Sequence, residues 1–184
     1  MRVVGGRLKG RTLASPSSRD IRPTADRLRE SLFNILVHAY DDPVAEARVL
    51  DLFAGTGALG IEAASRGAKF TLFVDNGAEA RALLRNNVEA LGLGGTTKVY
   101  RRDATNLGPA HPVEPFSLVF LDPPYGKGLA EQALGSLRDG GWLTKSALLV
   151  VEEAKAASFA APEGFQELER RVYDDTELVF LRFG

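Results

Sequence analysis

The chain has 184 residues, 45% hydrophobic and 26% charged, with a net charge of −1, no cysteine and two histidines far apart in sequence, His38 and His111. Disulfides and thiolate metal sites are excluded, and two isolated histidines give no reason to expect a metal. No apolar run approaches the roughly 20 residues of a membrane span, and Met1 to Gly10 lacks the apolar centre of a secretory signal, so a cytoplasmic protein with one main domain and no membrane partner is expected.

The first elements are basic. Met1 to Ala14 reads as a small hairpin, Arg2 to Val4 and Gly10 to Leu13 around a Gly5-Gly6 turn, with too little apolar surface to fold alone. It must lie on the main domain or on a partner. Ser15 to Arg22 has no periodicity and reads as a connector. Pro23 and Thr24 then open a helix of about 16 residues, in which Leu28, Leu32, Ile35 and Leu36 share a face. Arg27, Arg29 and Asn34 are read as lying off that stripe, free to face a ligand. Residues 1–34 hold eight basic and three acidic side chains, a net +5 that leaves the other 150 residues at −6. A basic arm on an acidic globule is the pattern of a protein that meets phosphate with one end. The expected division is a basic hairpin and connector at 1–22 and a catalytic domain at 23–184.

From Arg48 onward, strand and helix alternate. Strands are predicted over Arg48 to Phe53, Phe70 to Val74, Thr97 to Arg101, Phe116 to Leu121 and Ala147 to Val151. Helices are predicted over Ala58 to Arg66, Ala78 to Leu91 and Leu129 to Leu137. A closing hairpin, Gln166 to Tyr173 with Glu177 to Phe183, turns at Asp174-Asp175. The order predicts an α/β fold: a mostly parallel seven-stranded sheet with helices on both faces and a terminal antiparallel pair. Strand after strand closes on an acid, so Asp51, Asp75, Asp103 and Asp122 are expected along one crevice at the C-terminal sheet edge.

Two stretches carry the chemistry. Gly55-Thr56-Gly57-Ala58-Leu59-Gly60 matches G-x-G-x-x-G, with Asp75 20 residues after Gly55, where a ribose acid belongs. This reports an adenosine ligand without naming it. Asp51 tilts the choice, because a carboxylate beside the glycine turn repels a pyrophosphate and attracts an ammonium and a sulfonium. Asp103 is a candidate acceptor for an adenine amino group. The second stretch is Asp122-Pro123-Pro124-Tyr125. An exocyclic amino group on a base is a poor nucleophile, its lone pair delocalised into the ring. The Asp122 carboxylate and the Pro123 carbonyl can each accept one of its N–H groups and aim the lone pair at a methyl donor. Pro123 and Pro124 hold those acceptors still, and Tyr125 offers a face for a splayed-out base.

With these motifs in view, the chain resembles the RsmD-type 16S ribosomal RNA guanine-N2 methyltransferases over nearly its whole length. The stretches that carry the likeness are V-V-G-G-R-L-K-G-R-T-L, R-P-T-A-D-R-L-R-E-S-L-F-N, V-L-D-L-F-A-G-T-G-A-L-G-I-E-A-A-S-R-G-A and V-F-L-D-P-P-Y. The first two separate this family from the many methyltransferases that share the others. The resemblance implies a Rossmann-like class I methyltransferase fold, S-adenosyl-L-methionine as cofactor and a guanine of small-subunit rRNA as substrate. It assigns the cofactor's methionine end to Asp51, Gly55 and Gly57, its ribose to Asp75 and its adenine to Asp103, and it adds Phe53, Asn76 and Ala104 to the cofactor-binding residues. Thr24, Arg27 and Asn34 would border the cofactor. Asp122, Pro123, Pro124 and Tyr125 would orient the base, and Arg2, Arg7, Lys9, Arg11 and Arg22 would grip RNA. Asp75 departs from the glutamate common at that position in the family. The implied partner is 16S rRNA within a partly or fully assembled small subunit, met by a monomer. A methyltransferase of adenine N6, cytosine N4 or a protein amide shares the same site chemistry. A nicotinamide oxidoreductase would leave D-P-P-Y without a task, and a non-catalytic rRNA-binding module would leave both motifs unexplained.

Overall fold

Four parallel strands with apolar residues on both faces build the centre of the protein. The computed structural model describes residues 1–14, 16 and 25–184. Helix α1 (Asp26–Ala39) precedes β1 (Arg48–Leu52), α2 (Ala58–Ser65), β2 (Phe70–Val74), α3 (Ala78–Ala90), β3 (Thr97–Tyr100), β4 (Phe116–Leu121), α4 (Leu129–Gly140), β5 (Leu143–Ala154), β6 (Phe165–Tyr173) and β7 (Thr176–Phe183). The sheet has seven strands in the order β3-β2-β1-β4-β5-β7-β6. The first five run parallel, and β7 and β6 are antiparallel, as the alternating pattern predicts.

Side chains alternate across each strand, and the two resulting faces pack differently. Leu50, Leu72, Val119, Leu149 and Leu181 face α4 and Trp142. Val49, Leu118, Phe120, Leu148 and Phe180 face α1 and α2, while Phe73 packs with α2 and α3. Helices therefore cover both faces. The segment Pro23-Thr24, read as the opening of the first helix, lies outside the described residues, and α1 is seen from Asp26.

The N-terminal hairpin lies on the main domain. Arg2 and Thr12 form an antiparallel bridge, and Val3, Leu8 and Leu13 complete the core between α2 and α3. Glu62 of α2, 1% exposed, anchors it: its carboxylate accepts the backbone N–H groups of Val4 (2.9 Å) and Gly5 (2.8 Å) and pairs with Arg29 and Arg66. A buried carboxylate needs such partners to offset its desolvation. Because the arm and α1 cover α2 on the sides away from the sheet, all eight of its residues are buried.

Arg29 corrects the reading of α1. Positions 29, 32, 33 and 36 follow helical i, i+3, i+4, i+7 spacing, so Arg29 belongs to the buried stripe. It is 0% exposed, and its guanidinium donates to Glu62, to Asp26 and to the Arg2 carbonyl. It ties the arm to α1 and α2 and faces no ligand. Asp26 is held below the usual carboxylate range by the hydrogen bond and charge of Arg29, which outweigh its partial burial. Strand β5 also exceeds its predicted Ala147 to Val151 span, continuing through Glu152 and Glu153, both buried.

Candidate active site

Chain direction decides where the site lies. In β1, β2 and β4 the parallel strands end together at Leu52, Val74 and Leu121, so the turns that follow them share one edge. The first is the glycine turn. Phe53 takes a φ of +57°, Gly55 +58° and Gly57 +83°. Left-handed geometry at a bulky residue such as Phe53 is uncommon and marks a constrained, functional turn. A Cβ on Gly57 would drive into Leu84, and one on Gly60 would meet Phe73 and Asp51. The absence of side chains there lets α2 start hard against β1. Asp51, 1% exposed, uses that approach, its Oδ2 accepting the Gly60 N–H at 2.9 Å.

The second turn follows β2. Asp75 accepts the Gly55 N–H through Oδ2 at 3.0 Å and the Gly77 N–H through Oδ1 at 2.8 Å, so this acid locks the glycine turn to the start of α3. Asn87 of α3 holds the same turn from beneath, donating to the Thr56 carbonyl at 3.0 Å while accepting the Ala14 N–H at 2.7 Å. After β3, Asp103 accepts from the backbone and hydroxyl of Thr105.

Between these turns lies a cavity of about 610 Å³ walled by Phe53, Gly55, Asp75 through Ala80, and Asp122 through Tyr125. Phe53 also lines two smaller recesses: one reaches Asn76, Asp103 and Ala104, the other reaches Asp51, Thr56 and Asp122. The four strand-end acids thus line three neighbouring cavities that share Phe53 as a wall, all at the sheet edge where the sequence expects one crevice. Asp51, Asp75, Glu79 and Asp122 border the main cavity and the recess behind the glycine turn, and among the described residues no basic side chain does. Arg102 lines the recess beside Asp103, but its guanidinium stands over Tyr100 and Trp142 and donates to the Leu107 carbonyl. Burial, aided by the nearby Asp75 charge and opposed by the Gly60 N–H, pushes the Asp51 carboxyl up to about 8. With Asp51 largely protonated at neutral pH, the described acids Asp75, Glu79 and Asp122 still make these walls poor company for a pyrophosphate and suit a ligand that brings positive charge.

The structure separates the remaining predicted residues. Arg27 and Asn34 stand exposed on α1 and line none of these cavities. Thr24 and Arg22 lie outside the described residues. Arg2, Arg7, Lys9 and Arg11 are exposed, yet Arg7 is tied to the Ser65 carbonyl at the far end of α2, about 10 Å along the helix from the crevice at 1.5 Å per residue. Three residues were missed: Glu152, Glu153 and Thr176. The Tyr125 hydroxyl donates to Glu152 Oε1 at 2.7 Å and lies 3.1 Å from Thr176 Oγ1, and the Gly126 N–H donates to Glu153 Oε1 at 3.1 Å. The signal was available, since Glu152-Glu153 is one more apolar strand ending on acids.

Sheet order, glycine turn, acid-lined crevice and D-P-P-Y rim define a Rossmann-like class I methyltransferase. The family model described as Conserved hypothetical protein 95 matches residues 1–182. Ribosomal RNA small subunit methyltransferase D of Escherichia coli (strain K12) is 39% identical over 152 residues, covering 83% of this chain and 74% of that protein. The putative rRNA methyltransferase YlbH of Bacillus subtilis is 34% identical over 173 residues, covering 93% and 92%. Among solved structures, a putative methyltransferase, yhhF, from Escherichia coli superposes with a TM-score of 0.84 at 31% identity, covering 100% of this chain and 97% of that one. The chain belongs to the ribosomal RNA small subunit methyltransferase D family.

Proposed function

We propose that the protein transfers a methyl group from S-adenosyl-L-methionine to the exocyclic N2 of a guanine in small-subunit rRNA. The observation that carries this reading is the acid-lined crevice, free of basic side chains among its described walls, opening onto Asp122-Pro123-Pro124-Tyr125. Its acceptors fit the cofactor: Asp51 and the glycine turn for the methionine end, Asp75 and Asn76 for the ribose, Asp103 and Ala104 for the adenine. When bound, the cofactor supplies an electrophilic methyl on a sulfonium.

The chain's own residues do the rest. The Asp122 carboxylate and the Pro123 carbonyl accept the two amino hydrogens of the base, concentrating the lone pair on nitrogen and aiming it in line with the methyl. The developing positive charge on nitrogen is stabilised by Asp122, and neither a covalent intermediate nor a metal is needed. Tyr125 presents its face to the flipped base. The arm, a helix length away, grips phosphates elsewhere on the same RNA, so that a folded RNA spans both sites.

The test pairs ligand binding with transfer. S-adenosylmethionine or its demethylated product, at a hundredfold excess over Kd, should stabilise the protein by about 2.7 kcal/mol. NAD should not, and a labelled methyl should pass to small subunits that lack the modification. A thermal shift with NAD and none with the methyl donor would overturn the reading.

A further inference from the structure

The last parallel strand, β5, and its antiparallel neighbour, β7, bring side chains to the D-P-P-Y loop. β5 runs parallel to β4 and ends at the crevice edge, and β7, antiparallel to it, begins there, with Ala154 opposite Thr176. Glu152 is 4% exposed and accepts the Tyr125 phenol proton at 2.7 Å, with Thr176 Oγ1 3.1 Å from the same oxygen. Glu153, on the opposite side of the strand, accepts the Gly126 and Ala154 N–H groups. The loop is therefore pinned on both sides of the Tyr125–Gly126 peptide.

We infer that Glu152, supported by Thr176, is a positioning residue for base recognition, holding the Tyr125 ring by its hydroxyl so that its face is preset for stacking. The inference rests on the proposed reading of D-P-P-Y as the loop that receives the base. A tyrosine ring is fixed in space when both ends are held: Pro123-Pro124 restrict the backbone at one end, and a buried carboxyl oxygen of Glu152 holds the other. The phenol proton is committed to Glu152, so Tyr125 has no proton to donate to the base and contributes its face. Discrimination of the base edge then falls to Asp122 and the Pro123 carbonyl.

The test is a double-mutant cycle on methyl transfer to small subunits lacking the modification, with the Kd for S-adenosylhomocysteine as control. Freeing one ordered side chain costs between a few-fold and about tenfold, and a lost hydrogen bond to a charged group costs about tenfold or more. Glu152→Ala and Tyr125→Phe should each lower kcat/KM for RNA about tenfold, with cofactor Kd unchanged. Combined, they should do no more damage than either alone. Glu152→Gln, whose amide carbonyl can still accept the phenol proton, should recover most of the loss. Wild-type kcat/KM in Glu152→Ala, or effects that multiply in the double variant, would overturn the inference. If Glu152→Ala does not fold, Thr176→Val takes its place. It should cost less in the wild-type background and nothing in Tyr125→Phe, and equal losses in both would count against the role. Full turnover in Tyr125→Ala would instead remove the reading of Tyr125 as base platform, a failure distinct from that of Glu152 alone.

Discussion

Asp51 should make cofactor affinity depend on pH in a way that one substitution abolishes. Its carboxyl, buried beside the glycine turn and near Asp75, is pushed up to about 8, so at pH 7 about nine molecules in ten hold it protonated. A cationic ligand end favours the ionised form, so binding must expel that proton, and the cost shrinks as pH rises. From a pKa of about 8, affinity for S-adenosylhomocysteine should rise about tenfold between pH 6 and 7 and about fivefold more between pH 7 and 8, with close to one proton released per binding event at pH 7. Titration calorimetry in two buffers of different ionisation enthalpy reads both numbers. Asp51→Asn keeps a carbonyl for the Gly60 N–H and should bind more weakly with a flat profile, which also subtracts any titration of the ligand itself. The free protein gives the complementary sign. Because the folded pKa is raised, the proton that Asp51 retains favours the fold most fully below the ordinary carboxylate range, and this advantage is lost as pH rises through about 8. The melting temperature of the wild type should therefore fall relative to Asp51→Asn across that interval. Equal pH profiles for the two proteins, in binding and in melting, would refute the assignment.

Three further substitutions test other parts of the molecule. Glu62→Ala takes from the buried Arg29 one of its two carboxylate partners and removes the carboxylate that accepts the Val4 and Gly5 N–H groups. Breaking such a pair costs about 3–5 kcal/mol, a melting decrease of roughly 6–20 °C at this chain length, and a shift of less than a few degrees would show that the arm is held by its apolar residues alone. Asp122→Ala should keep cofactor affinity while transfer falls by roughly a hundredfold or more, whereas Asp75→Ala, which also frees the Gly55 and Gly77 N–H groups, should weaken cofactor binding first. Turnover near wild type in Asp122→Ala would reduce D-P-P-Y to a turn. Replacing Arg7, Lys9 and Arg11 together with Ala should flatten the log-log salt dependence of rRNA binding by about 2 units and leave cofactor affinity unmoved, and an unchanged slope would place recognition elsewhere.

The fold was legible because its signals are local. Apolar strands closing on Asp51, Asp75, Asp103 and Asp122 announce a parallel sheet with one functional edge, and glycines at 55, 57 and 60 announce a backbone held close to its surroundings. What could not be read depended on partners distant in sequence. Arg29 is basic and was read as ligand-facing, but its surroundings are set by Glu62, 33 residues later, and only the folded chain brings the two together. Glu152 and Glu153 repeat the strand-end acid pattern, but that they hold Tyr125 and Gly126 emerges only once the sheet is formed. Charge and family resemblance both predict that the arm grips phosphate. Its backbone bonds to Glu62 and Ser65 show that it is also part of the core, and that its tip stands away from the crevice.

A crevice that holds a methyl donor beside a D-P-P-Y loop that presents a guanine amino group must leave its mark on guanosine. Small ribosomal subunits lacking the modification, incubated with the protein and S-adenosylmethionine carrying a heavy methyl, can be digested to nucleosides and resolved by mass spectrometry. A single heavy product, N2-methylguanosine, should arise from one rRNA position, at a rate roughly a hundredfold or more lower when Asp122→Ala replaces the wild type. Heavy methyl on adenosine or cytidine, or on protein with none on guanosine, would contradict it.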